Sequence, residues 1–134
     1  MSFYCQLAPG HPFHGPYHDT EYGFPVDDDR VLFERLVLEI NQAGLSWLTI
    51  LRKREAFREA FDGFALQKVA RYDLRRREKL LANAGIIRNR LKIDAAVHNA
   101  RVVLTLRESS CCHVLSVQRH AATTWVHDAE LFPM

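Results

Sequence analysis

A chain of 134 residues with 48% apolar and 25% charged residues has the length and balance of one soluble globular domain, which excludes a disordered or fibrous polypeptide. A net charge of +2 excludes overall basicity as a sign of nucleic-acid binding, so the placement of charge has to be read instead. Three cysteines, with Cys111 and Cys112 adjacent and Cys5 remote, exclude a disulfide scaffold and suit reduced thiols or metal ligands.

The chain opens without a basic-then-apolar leader and contains no apolar run of bilayer length, so a cytoplasmic protein without a membrane partner is expected. Residues 1–26 carry Pro9-Gly10, Pro12, Gly15-Pro16 and Gly23 in quick succession, which predicts an irregular arm. From Asp27 onward helical periodicity predicts helices over 29–42, 46–60, 65–71, 73–83 and 88–106. Asp28 or Asp29 caps the first, which places Leu32, Phe33, Leu36, Val37 and Ile40 on one face. Trp47, Leu48, Leu51, Phe57 and Phe61 form the apolar side of the second, and Ile93, Ala96, Val97, Ala100, Val103 and Leu104 form a stripe on the last. The predicted fold class is all-α, an orthogonal helical bundle in a single domain. Its parts are the arm at 1–26, a helical core at 27–108 and a tail at 109–134.

The segment Glu39-Ile-Asn-Gln-Ala-Gly-Leu-Ser-Trp47 sets a carboxylate and an indole on either side of a glycine break. At about 100° per residue, Glu39 falls beside Leu32 and Leu36, so its carboxylate is partly desolvated. One reading is a boundary glutamate that snorkels to water; the other is a pocket for a planar base. Gly44 and Leu45 serve as a C-cap and core anchor, or as a loop that meets a ligand. Gln42 either touches that ligand or satisfies the cap.

Asp73 is an N-cap, and Asn83-Ala84-Gly85 closes the next helix with a glycine able to take the left-handed conformation. Ile86 and Ile87 anchor the turn, and Arg88, Arg90 and Lys92 follow it. A helix, a glycine hairpin and a helix opened by basic residues can aim N–H groups at a phosphate, although any tight corner between helices has the same signs. The Arg75-Arg76-Arg77 run reads as a solvated face.

Tyr17-His18-Asp19, Glu21-Tyr22-Gly23, Glu39, Gln42-Ala43-Gly44-Leu45-Ser46-Trp47 and Ala84-Gly85-Ile86-Ile87-Arg88-Asn89-Arg90-x-Lys92-Ile93, in this order over about residues 5–106, resemble the DNA-3-methyladenine glycosylase I family. These are bacterial base-excision repair enzymes of the helix-hairpin-helix glycosylase superfamily. The resemblance implies a monofunctional glycosylase that flips 3-methyladenine out of alkylated double-stranded DNA and hydrolyses its N-glycosidic bond. Glu39 would be the catalytic base reader, Tyr17 and Trp47 stacking walls, and Tyr22 and Gln42 further substrate contacts. Gly44, Leu45, Gly85, Arg88, Arg90 and Lys92 would meet DNA. The resemblance further implies a monomer acting at the bacterial nucleoid. Cys5 and His18 match two of the family's four structural zinc ligands, so the zinc site expected here is incomplete.

The tail departs from that pattern, with Ser109-Ser110-Cys111-Cys112-His113, His120 and His127 in place of the family's closing histidine and cysteine, and Leu7 stands where an aromatic residue is usual. An alternative expectation is therefore a C-terminally shortened, catalytically impaired relative that acts at most as a DNA-binding helical domain.

Overall fold

The computed structural model describes residues 3–109, and among them every regular element is a helix. The order is α1 (Phe3–Leu7), α2 (His14–Thr20), α3 (Asp29–Gln42), α4 (Trp47–Ala60), a 3-10 turn (Asp62–Phe64), α5 (Leu66–Val69), α6 (Leu74–Ala82) and α7 (Arg90–Ser109). None of these helices is long and apolar enough to cross a membrane. The expected tail lies almost wholly outside the described residues.

Side-chain caps start the long helices. Asp28 accepts from the backbone N–H groups of Arg30 and Val31, Ser46 from Thr49, and Asp73 from Arg76, each satisfying a donor that has no intrahelical partner. The arm differs from expectation, because α1 and α2 form within it. Pro16 is tolerated because it lies in the first turn of α2, where its missing N–H costs no intrahelical bond.

α7 packs across α3, α5 and α6, and its small stripe of Ala96, Val97 and Ala100 is fully buried. Phe33, Phe57, Phe61 and Phe64 fill the space beneath, with Phe61 stacked on Phe64 at 5.8 Å and an interplanar angle of 4°. Phe64 keeps this place although its φ is +58° and that of Asp62 is +52°, a left-handed turn that costs each side-chain-bearing residue about 1–2 kcal/mol. Asp62 is held by the Tyr72 hydroxyl at 2.5 Å and by Arg76 at 3.2 Å.

The buried face of α3 is only in part the predicted one. Phe33, Glu34, Val37, Leu38 and Asn41 are buried, while Leu36 is exposed and Leu32 and Ile40 are half-buried. An apolar count misses this rotation because it places Glu34 outside, whereas Arg54 and Arg58 neutralise Glu34 inside.

Candidate active site

Gly44 carries φ +80° between α3 and α4, the conformation glycine adopts without a side-chain clash. Around it, the Leu45 N–H donates to the Gln42 carbonyl at 2.7 Å, and Gln42 Nε2 donates to the Leu45 carbonyl at 3.0 Å. Gln42 thus braces the loop, one of the two roles open to it. The loop sets Trp47 as the first residue of α4, three residues after Gly44, while Glu39 lies in the last turn of α3.

α2 brings Tyr17 against Trp47, with ring centroids 5.2 Å apart at 63°. Burial, followed by the charge of Glu39, pushes the Tyr17 hydroxyl up to about 12, so it remains a neutral phenol at physiological pH and lies within the field of Glu39. Glu39 is half-buried, and desolvation raises its pKa. Among the described residues its carboxylate makes no hydrogen bond and no ion pair. A half-buried anion without a partner is unfavourable until a cation or an N–H donor arrives. Tyr17 thus contacts the Trp47 ring and lies in the field of Glu39.

Tyr22 belongs to a second aromatic layer. It contacts Tyr4 at 5.2 Å, stacks on His18 at 5.8 Å and reaches Tyr17 only at 6.4 Å. Tyr4 and His14 have no signal in the sequence, yet the Tyr4 hydroxyl pairs with His14 Nδ1 at 3.1 Å and the Tyr4 ring lies edge-on to His18. Burial raises the Tyr4 hydroxyl pKa, and the Trp47 indole pulls it back. Leu7, where the family offers an aromatic residue, is exposed.

His18 sits with its ring on Asp19 at 2.9 Å and within hydrogen-bonding reach of the Cys5 thiol. One thiol and one imidazole suit two corners of a tetrahedral zinc shell. Among the described residues no cluster of three or more candidate ligands occurs, and Cys111, Cys112, His113, His120 and His127 lie outside them.

In the hairpin, Asn83 Oδ1 accepts from the Gly85 N–H at 2.8 Å, and Asn89 Oδ1 accepts from the Lys92 N–H at 3.2 Å, which caps α7. Gly85 does not take the left-handed conformation that the sequence suggests. Its need for glycine is spatial, since a Cβ would stand 3.1 Å from the Ala56 Cβ and 3.0 Å from Asn83 Oδ1. Lys53 reaches the Ala84 carbonyl at 3.2 Å and locks the turn onto α4. Arg88 and Arg90 are exposed, as phosphate contacts require. Lys92 is a correction: its ammonium donates to the Asn41 carbonyl at 2.8 Å and to that of Ala43 at 2.6 Å, capping α3 instead of pointing freely at solvent. Arg77 pairs with Asp94 at 2.9 Å and Arg76 donates to the Ala60 carbonyl, so most of that basic run is structural.

The family model described as methyladenine glycosylase matches residues 8–128. The chain belongs to the methyladenine glycosylase family. The match reaches residue 128, so most of the 109–134 tail, expected to depart from the family, falls within it. The chain is 45% identical over 92 residues to DNA-3-methyladenine glycosylase of Haemophilus influenzae, covering 69% of this chain and 50% of that protein. It is 44% identical over 105 residues to DNA-3-methyladenine glycosylase 1 of Escherichia coli, covering 78% and 56%. The fold superposes with a TM-score of 0.74 and 38% identity on 3-methyladenine DNA glycosylase I from Staphylococcus aureus, a structure solved to explain 3-methyladenine recognition, over 78% of this chain and 56% of that one. The chain thus spans about half the length of the curated relatives it matches.

Proposed function

We propose that the chain is a base-excision repair DNA glycosylase that releases 3-methyladenine from alkylated double-stranded DNA. The observation that carries this reading is the half-buried, unpartnered Glu39 carboxylate in the field of the Tyr17 hydroxyl, with the Tyr17 ring against Trp47. A lesion inside the duplex must leave the stack before a pocket can read it. Methylation at N3 gives the base in DNA a positive charge, which a desolvated carboxylate attracts more strongly than it would in water. Neutral adenine receives no such attraction.

The same charge prepares the leaving group. As the C1′–N9 bond breaks, its electron pair stays on the purine and cancels the cation, while water forms the new bond to C1′ and releases a proton. Glu39 holds the base and faces the positive charge that spreads onto the sugar in the transition state, so binding and catalysis share one cause. Asp94, the first carboxylate after the hairpin, is paired with Arg77 at 2.9 Å and is given no role in this reading. Incubation with methylated duplex DNA should release free 3-methyladenine, detected by chromatography; release no greater than in protein-free buffer would overturn the assignment.

Arg88 and Arg90 flank the hairpin as phosphate contacts, with Gly44 and Leu45 facing the gap left by the flipped base and the protein acting as a monomer. Arg88→Ala should weaken binding to damaged and undamaged duplexes alike and reduce the salt slope by about 1. Lys92→Met should leave that slope unchanged and lower the melting temperature, because its amine caps α3. Anisotropy titrations at several salt concentrations separate the two.

Cys5 and His18 would hold one side of a structural zinc, which ties an arm to a core when its shell is full. With two ligands among residues 3–109, purified protein should contain well below one zinc per chain by atomic emission. Stoichiometric zinc would place the missing ligands beyond Ser109.

A further inference from the structure

α2 carries Tyr17 but contributes nothing to the hydrophobic core, which begins with Phe33, and a seven-residue helix has no stability of its own. Besides the Tyr17 ring on Trp47 and Arg52 over the Phe13 ring, an ion-pair network ties the arm to the helices. Immediately after α2, Glu21 is locked to Tyr17, since the N–H groups of Glu21 and Tyr22 both donate to the Tyr17 carbonyl at 2.9 Å. The Glu21 carboxylate in turn takes a two-pronged grip from Arg54 of α4, at 2.6 and 2.7 Å. The Nε–H of the same guanidinium donates to Glu34 of α3 at 2.5 Å.

Arg54 is 13% exposed and Glu34 8%, so the centre of the network is shielded from water, while Glu21 and Arg58 lie nearer its rim. Arg58 also donates to Glu34, and Arg35 approaches Glu21 at 3.8 Å while donating to the Phe24 carbonyl at 3.3 Å. Burial alone would raise the Glu21 pKa, but the hydrogen bonds and charge of Arg54, helped by Arg35 and Arg58, lower it. One guanidinium therefore joins the arm to both helices that bear the pocket, α3 with Glu39 and α4 with Trp47.

We propose that Arg54 is a positioning residue for the base pocket, setting the distance of the Tyr17 wall from Glu39 and Trp47 through its grip on Glu21. The inference rests on the reading of that pocket as a 3-methyladenine site. The clamp includes neither Cys5 nor His18, so the aromatic wall is held in place whether or not a metal binds the arm. A planar fork suits the grip better than an ammonium, which carries the charge but not the parallel pair of donors that matches a carboxylate.

The test uses the full chain with two substitutions. Glu21→Gln removes the arm's charge while Arg54 keeps Glu34, and Arg54→Lys keeps the charge without the fork. Hydrogen exchange of the Glu21 and Tyr22 amides in ligand-free protein should accelerate about tenfold in Glu21→Gln while the amides of α4 stay protected, a change matching the loss of a charge-assisted hydrogen bond. Affinity for free 3-methyladenine, measured by calorimetry, should fall by a similar factor, with affinity for undamaged duplex unchanged. Arg54→Lys should fall between wild type and Glu21→Gln in both readouts. Unaltered exchange and affinity in both variants would overturn the proposal, as would equal loss of protection in α4 and of duplex binding, which would make the lattice a general scaffold. Failure of the wild type to bind 3-methyladenine would sink the pocket reading instead, and the exchange contrast would still decide the clamp.

Discussion

Replacing Glu39 by Gln should lower the rate of 3-methyladenine release proposed for this chain by about 10²–10³-fold, the usual effect of deleting one preorganised charge-stabilising group, and leave the ligand-free fold at least as stable at neutral pH. The two effects have one origin. Glu39 is half-buried without a partner, and desolvation raises its pKa in the folded state. A carboxyl whose folded pKa lies above its unfolded value contributes stability only below the unfolded value, and that contribution is lost as the pH rises through the folded one. At pH 7 the ionised group therefore opposes folding, and the neutral amide of Gln relieves it. The melting temperature of Glu39→Gln should equal or exceed that of the wild type at pH 7, and the difference should vanish below about pH 4, where both side chains are uncharged. Glu21, whose pKa is lowered, has the opposite pH dependence, but it is common to both proteins and cancels in the comparison. Thermal melts across this range check the sign, and a variant markedly less stable than wild type at pH 7 would mean that the carboxylate has a stabilising partner.

Phe61→Ala should cost about 3–5 kcal/mol, the range for truncating a fully buried aromatic residue. Phe61 is 1% exposed, and its ring meets Phe57 at 6.1 Å, Phe64 at 5.8 Å and Tyr72 at 6.3 Å. Its loss also removes the surface that holds Phe64 in its left-handed conformation. Against a typical domain stability of about 5–15 kcal/mol, the variant should be partly unfolded at 37 °C. By contrast, Leu91→Ala at the exposed start of α7, where the side chain is 80% exposed, should stay within about 0.5 kcal/mol. Urea midpoints for the two proteins give the comparison directly.

Local chemistry was legible in the sequence, and long-range charge was not. α3 runs over the residues its periodicity predicts, and Asp28 and Asp73 cap because a short oxygen-bearing side chain before an apolar-periodic run has few other uses, whereas Ser46, expected as the first residue of its helix, is that helix's cap. The break at Gly44 and the meeting of Glu39, Tyr17 and Trp47 followed from spacing and family pattern together. Arg54, Glu21 and Glu34 are 20 and 33 residues apart along the chain, and no periodicity announces ion pairs at such separations. Because Glu34 and Asn41 join the buried face of α3, that face is turned by part of a turn from the one its apolar residues predict. Basic residues near a hairpin look alike in sequence, yet Arg88 is exposed whereas Lys92 caps a helix beside it. Gly85 was read as a conformational glycine and is a packing one, a difference that depends on Ala56 of another helix.

The central claim is that Glu39, Tyr17 and Trp47 form a pocket for 3-methyladenine that discriminates against adenine. The most direct measurement is the thermal melt of the full chain with saturating free 3-methyladenine and, separately, with free adenine. A ligand that binds only the folded state raises the melting temperature according to its affinity. The melting temperature should rise by several degrees with 3-methyladenine and little or not at all with adenine, and the rise should be lost in Glu39→Gln. Equal shifts with both bases, or no shift with either, would contradict it.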